Sequence, residues 1–133
     1  MVKAAVINAL LIGSGGFAGA LLRSGLSGFV YRQVPLSTFP YGTLVVNLVG
    51  CFFIGGFTGL VEARQLFGPE LRTFVLIGLL GGFTTFSTFG FESFALLRDG
   101  EVERGLAYIA LHLILGLTLV WVGYSLATSN RVG

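Results

Sequence analysis

GGFTTFSTFGFE, residues 81–92, lies within an apolar stretch that runs from about 73 to 97. The stretch is long enough to cross a bilayer. It nevertheless carries two adjacent glycines, the hydroxyls of Thr84, Thr85, Ser87 and Thr88, four phenylalanines and the carboxylate of Glu92. Hydrocarbon offers no partner to a polar group, so each of these side chains must face something other than lipid.

The rest of the chain has the same character. Of its 133 residues only 11% are charged, against about 25% in a soluble domain, and mean hydropathy is +0.89. Residues 4–22, 43–61, 73–97 and 106–127 each reach the roughly 17–25 residues that a bilayer core requires. These features predict an all-α membrane protein, a single four-helix transmembrane domain over 1–133. Charges fall between the spans, with Glu92 the clear exception. Lys3 ahead of an apolar run ending in GFAGA has the look of a secretion signal, but three equally apolar segments follow, so the first is read as a span. Cys51 is the one cysteine. It can form no intrachain disulfide and is read as a small packing residue. Zinc, haem, iron–sulfur and P-loop motifs are absent from the sequence, and no enzyme is expected. A net charge of +2 at pI 9.0 suits an inner-membrane protein and points to no nucleic-acid partner.

Positive charge does not orient the bundle. With four spans, Lys3, Arg64, Arg72 and Arg131 share one side, and Arg23, Arg32, Arg98 and Arg104 share the other. Lysine and arginine normally accumulate on the cytoplasmic side; here the count is balanced. Either orientation is set by something the count misses, such as Arg23 lying partly inside the first span, or the chain inserts both ways and opposed copies pair. Gly15 and Gly19, Gly55 and Gly59, and Gly78 and Gly82 are each spaced four apart, and such stripes let membrane helices approach closely.

The polar residues of the spans are Asn47 in the second, the hydroxyl cluster and Glu92 in the third, and Tyr108 and His112, one turn apart, in the fourth. A single serine or threonine can bond back to the carbonyl four residues earlier; four within five residues, beside a glycine pair, ask for more. Two glycines in series weaken a helix by about 1 kcal/mol each relative to alanine, so a break is expected near Gly81–Thr85. A broken helix exposes carbonyls that suit a cation and N–H groups that suit an anion, and it is tolerated only in protein or beside a polar cavity. Phe83, Phe86 and Phe89 repeat every three residues, which predicts one ridge. A phenyl ring is positive at its edge, so ring edges alternating with hydroxyls and an asparagine amide could guide a small, hard anion. Lysine and arginine are missing from the spans apart from Arg23, in keeping with conduction, which requires that the ion can leave. Glu92 could carry protons, accept a hydrogen bond or pair with an arginine; a structural or vestibule role is expected, because a charged carboxylate would repel an anion. His112 is read as a hydrogen-bonded packing residue, and Trp121 and Tyr124 as interfacial anchors.

GGFAGALLR (15–23), GTLVVNLVG (42–50) and GLLGGFTTFSTF (78–89) closely resemble the bacterial fluoride channel family, called Fluc or CrcB. The resemblance covers nearly the whole chain. It implies a dual-topology, antiparallel homodimer in the bacterial inner membrane, with two fluoride pores lined by both subunits and a structural sodium ion at the dimer centre. It implies that Phe86 and Phe89 meet fluoride with their ring edges and that Asn47 donates an N–H to it. Ser87, Thr88 and Tyr108 would continue the path, and the carbonyls of Gly81 and Thr84 would hold sodium. Arg23 and Glu92 would lie at the mouth or vestibule. Gly116 stands where some members have serine, so a donor is missing from that turn.

The expected function is therefore passive export of cytoplasmic fluoride. The alternative is a proton-coupled small multidrug exporter using Glu92; a third reading is a non-transporting membrane scaffold whose polar cluster serves helix packing.

Overall fold

The computed structural model describes residues 1–65 and 67–129; Arg131, counted in the charge comparison, lies outside them. The described residues are helical throughout apart from short connections. Helix α1 spans Val2–Gln33 and α2 spans Tyr41–Arg64. The third span, Pro69–Arg98, is built in pieces: α3 (Pro69–Arg72), a π-helical stretch (Thr73–Leu79), α4 (Leu80–Phe83) and α5 (Phe86–Arg98). Helix α6 covers Val102–Thr128. Four helical segments are thus long and apolar enough to cross a membrane, and the chain is a multi-pass membrane protein.

The first helix outruns its expected span. At 1.5 Å per residue its 32 residues measure about 48 Å, against a hydrocarbon core of about 30 Å. A charge such as Arg23 does not stop a helix; Pro35 does, by disfavouring helical geometry at Val34, whose φ and ψ are −130° and 55°. Arg23 consequently lies inside α1, half-buried.

Packing follows two helix pairs. The most extensive contact joins α2 to α6, while α1 lies along the π-helical stretch and α4. Small residues make both possible. A Cβ on Gly15 would stand 2.6 Å from the Phe74 carbonyl oxygen and 3.0 Å from the Gly78 Cα, and one on Gly82 would meet the Gly16 carbonyl oxygen at 2.6 Å. Gly55 and Gly59 lie against the α6 backbone at Val120 and Tyr124. All three expected glycine stripes are therefore used inside the chain, where backbone contact replaces the hydrophobic drive that lipid does not supply.

The third span changes partner part-way. Its first half packs on α1, and α5 packs on α6. The turn from α5 to α6 is tight: Gly100 at φ +83° lets its own N–H reach Leu97 O and the Glu101 N–H reach Leu96 O, the glycine-terminated helix end. The turn sets Tyr108 beside α5, and Leu44, Leu96 and Tyr108 form a small buried cluster with Phe39, Leu48, Phe89 and Leu111 around it.

Candidate functional site: an interrupted helix and its partners

Helical geometry stops at Phe83 and restarts at Phe86. Thr84 (φ −87°, ψ 158°) and Thr85 (φ −149°, ψ 111°) are extended. Gly81 and Gly82, expected to supply the weakness, are helical, and Gly82 serves the α1 contact instead. The interruption also corrects the expected phenylalanine ridge. Phe83 closes α4 and is buried at 7% exposure, whereas Phe86 opens α5 at 83%, so the two rings share no helix face.

The interruption leaves backbone groups without helical partners, and side chains take them. The N–H of Thr85 would, in a continuous helix, donate to the Gly81 carbonyl; it donates to Asn47 Oδ1 at 2.9 Å. Asn47 Nδ2 donates back to the Thr85 carbonyl at 3.2 Å. An extended residue points its N–H and C=O to the same side, so one primary amide satisfies both, as a neighbouring strand would. Asn47 Nδ2 also lies 3.2 Å from His112 Nε2, and His112 Nδ1 lies 3.0 Å from the Tyr108 carbonyl.

The four hydroxyls part company. Thr84, just beyond the end of α4, donates both its N–H (3.0 Å) and its Oγ1 (2.9 Å) to the Leu80 carbonyl four residues earlier, a local bond of the kind threonine commonly makes. Thr85 caps α5: its Oγ1 accepts from the Thr88 N–H at 3.3 Å and donates to Thr88 Oγ1 at 3.0 Å, satisfying an N-terminal donor. Ser87 is exposed and makes no side-chain hydrogen bond among the described residues. The rings of Phe86 and Phe89 lie 5.5 Å apart, and Phe89 lies 4.4 Å from His112. Asn47, Thr85, Phe86, Phe89 and His112 line an open cavity of about 350 Å³, with Cys51 and Gly81 on its wall.

A second polar cluster sits above it on α5. Thr43 Oγ1 donates to Glu92 Oε1 at 3.0 Å, and the Tyr108 hydroxyl donates to Glu92 Oε2 at 2.6 Å. Tyr108, fully buried, therefore spends its hydroxyl on Glu92. The carboxylate meets two hydroxyl donors and no arginine among the described residues. Thr43 was not singled out in the sequence; a hydroxyl four residues before Asn47 on the same helix face was the available signal. His112 is expected to be hydrogen-bonded and packed, and it is both; that its partner is Asn47, 65 positions away, has no local signature.

The family described as "CrcB-like protein, Camphor Resistance (CrcB)" matches residues 10–124. A protein of Methylobacillus flagellatus named fluoride-specific ion channel FluC is 42% identical over 117 residues, 88% of this chain and 91% of that protein. Proteins of the same name from Aquifex aeolicus (46% over 115 residues, 86% and 92% covered) and Salinibacter ruber (47% over 118 residues, 89% and 87%) are similar along comparable lengths. With an interrupted third span seated on these partners and a match across most of its length, the chain belongs to the CrcB-like family.

Proposed function

We propose that this chain is a fluoride-selective ion channel through which cytoplasmic fluoride leaves passively, without nucleotide or catalysis. It works in the bacterial inner membrane as an antiparallel, dual-topology homodimer with two pores. HF crosses a bilayer and dissociates inside, so an anion-selective leak under a negative-inside potential carries fluoride out.

The observation that carries this reading is the outward position of Phe86, Ser87 and Thr88 beside the interruption. All three are exposed in the single chain, although a polar hydroxyl pair facing hydrocarbon is unfavourable. One chain thus offers half of a lined path, and a second copy supplies the other half. The balanced lysine and arginine count supports opposed insertion, and the fluoride-channel names of the relatives support the ion.

The donor chemistry fits a sodium ion at the centre of such a dimer. Because Asn47 takes the Thr85 N–H, the Gly81 carbonyl lacks its helical donor. The carbonyls of Gly81 and Thr84 from two copies would present neutral oxygens, the ligands a hard cation prefers. Bound there, sodium would tie the two interrupted spans together. The exporter alternative is not favoured: it needs an available carboxylate, and both oxygens of Glu92 accept hydrogen bonds.

The test uses purified protein in liposomes loaded with fluoride or chloride, with valinomycin clamping charge and an ion-selective electrode outside. Rapid fluoride efflux with little chloride efflux is expected. Absence of fluoride efflux from inserted protein would reject the channel.

A further inference from the structure

The hydrogen bonds around His112 have only one consistent direction. A carbonyl oxygen can only accept, and an amide NH₂ can only donate. Since Nδ1 faces the Tyr108 carbonyl and Nε2 faces Asn47 Nδ2, the ring carries its proton on Nδ1 and presents a lone pair at Nε2. The amide is equally fixed: turning it over would set its NH₂ against the Thr85 N–H and its oxygen against the Thr85 carbonyl. One N–H of Asn47 goes to Thr85 and the other to His112. No donor is left over.

We propose that His112 is a positioning residue for anion recognition: its Nε2 lone pair holds the outer N–H of Asn47, and an anion entering the cavity must take that N–H from it. This deepens the channel reading and rests on it. A donor left unpaired in a site poor in water would bind an anion by the whole cost of its desolvation, whereas a donor already satisfied yields only the difference between two hydrogen bonds. His112 therefore keeps the site weak enough for the ion to leave, as conduction demands. The ring also stands at the right place, against Phe89 and on the wall of the cavity that Asn47 and Phe86 share.

His112 is the one histidine of the chain, so nitrogen-15 labelling of the imidazole reads it alone. In bilayers with chloride, the expected signal is a neutral ring protonated at Nδ1. Fluoride, unlike chloride, should shift the Nε2 resonance as the Asn47 N–H turns away. A ring protonated at Nε2 overturns the inference, as does an Nε2 signal unmoved by fluoride in vesicles that conduct it. Vesicles that conduct no fluoride overturn the channel reading, and the inference with it. Flux in variants supplies a second arm. His112→Leu removes the acceptor, so the half-saturating fluoride concentration should fall about three- to tenfold, the factor one net hydrogen bond represents, while maximal flux declines. His112→Gln returns an acceptor near the Nε2 position and should restore both. Equal half-saturation in the native protein and both variants would overturn the assignment.

Discussion

Asn47 meets Thr85 through both faces of one amide, accepting its N–H at 2.9 Å and donating to its carbonyl at 3.2 Å. The pairing makes Asn47 part of the fold as well as of the candidate path. Asn47→Ala leaves a half-buried N–H and C=O without partners, at a cost of about 1–3 kcal/mol for each group that water cannot reach. Asn47→Asp keeps the acceptor for the Thr85 N–H but turns oxygen towards the Thr85 carbonyl and His112 Nε2. Both variants should lower the unfolding midpoint of the detergent-solubilised protein, and both should lose most fluoride efflux. Native efflux from Asn47→Asp would remove Asn47 from the path.

Phe86 and Phe89 are separable because they are packed so differently. Phe86 is exposed on the lone chain, and exposed substitutions usually stay within about 0.5 kcal/mol. Phe89 lies against His112 and Tyr108, at 4.4 and 5.7 Å between ring centroids. Phe86→Ile should therefore preserve the subunit fold and cut efflux severely, a flux defect without a folding defect. Phe89→Ile should reduce both. Circular dichroism melts run beside liposome efflux would distinguish them.

The spans were legible because hydropathy is a sum over many residues, and no tertiary detail can overturn it. Helix ends were less so: hydropathy falls at Arg23, but the hydrogen-bond ladder runs on until Pro35 interferes at Val34. The interruption shows a similar split. Glycines mark both weakness and close packing, and at Gly82 the nearby Gly16 backbone decides for packing. The extended residues are the two threonines after it, where Asn47 compensates for the lost helical bond. Partners separated by long stretches of sequence, such as Thr43 with Glu92 or His112 with Asn47, were invisible. The packing of α2 and α5 against α6, and of α2 against α5, brings them within reach.

The glycine contacts predict a sharp contrast within α1. A methyl on Gly15 would meet backbone atoms of Phe74, Leu79 and Gly78 at 2.6 to 3.0 Å, and backbone cannot swing aside as a side chain can. Gly15→Ala should destabilise by about 1–3 kcal/mol, the usual scale of overpacking. Gly13, two residues earlier, has nothing within 4 Å of its hypothetical Cβ. Gly13→Ala should be neutral, or stabilising by up to about 1 kcal/mol through helix propensity. Thermal unfolding of the two variants in one detergent would test the pair; equal midpoints would contradict the α1 packing described.

Glu92 separates channel from exporter. Its two oxygens accept from Thr43 and Tyr108, an arrangement that a glutamine can partly reproduce. Its carbonyl accepts one hydroxyl, and its NH₂ donates to the other, which rotates to accept. Tyr108→Phe has no such remedy, because it strips a donor from a carboxylate oxygen beside a fully buried ring. Hydrogen bonds to charged groups contribute about 1.5–3 kcal/mol, so Tyr108→Phe should destabilise more than Glu92→Gln. Transport gives the complementary readout. A channel does not need a proton shuttle, and fluoride efflux through Glu92→Gln should persist, above the level left by Asn47→Asp. An exporter using Glu92 as its shared proton and substrate site would lose all coupled transport in Glu92→Gln while retaining it in Phe86→Ile. Efflux measured with and without an imposed proton gradient decides between them, since only the exporter's rate follows the gradient.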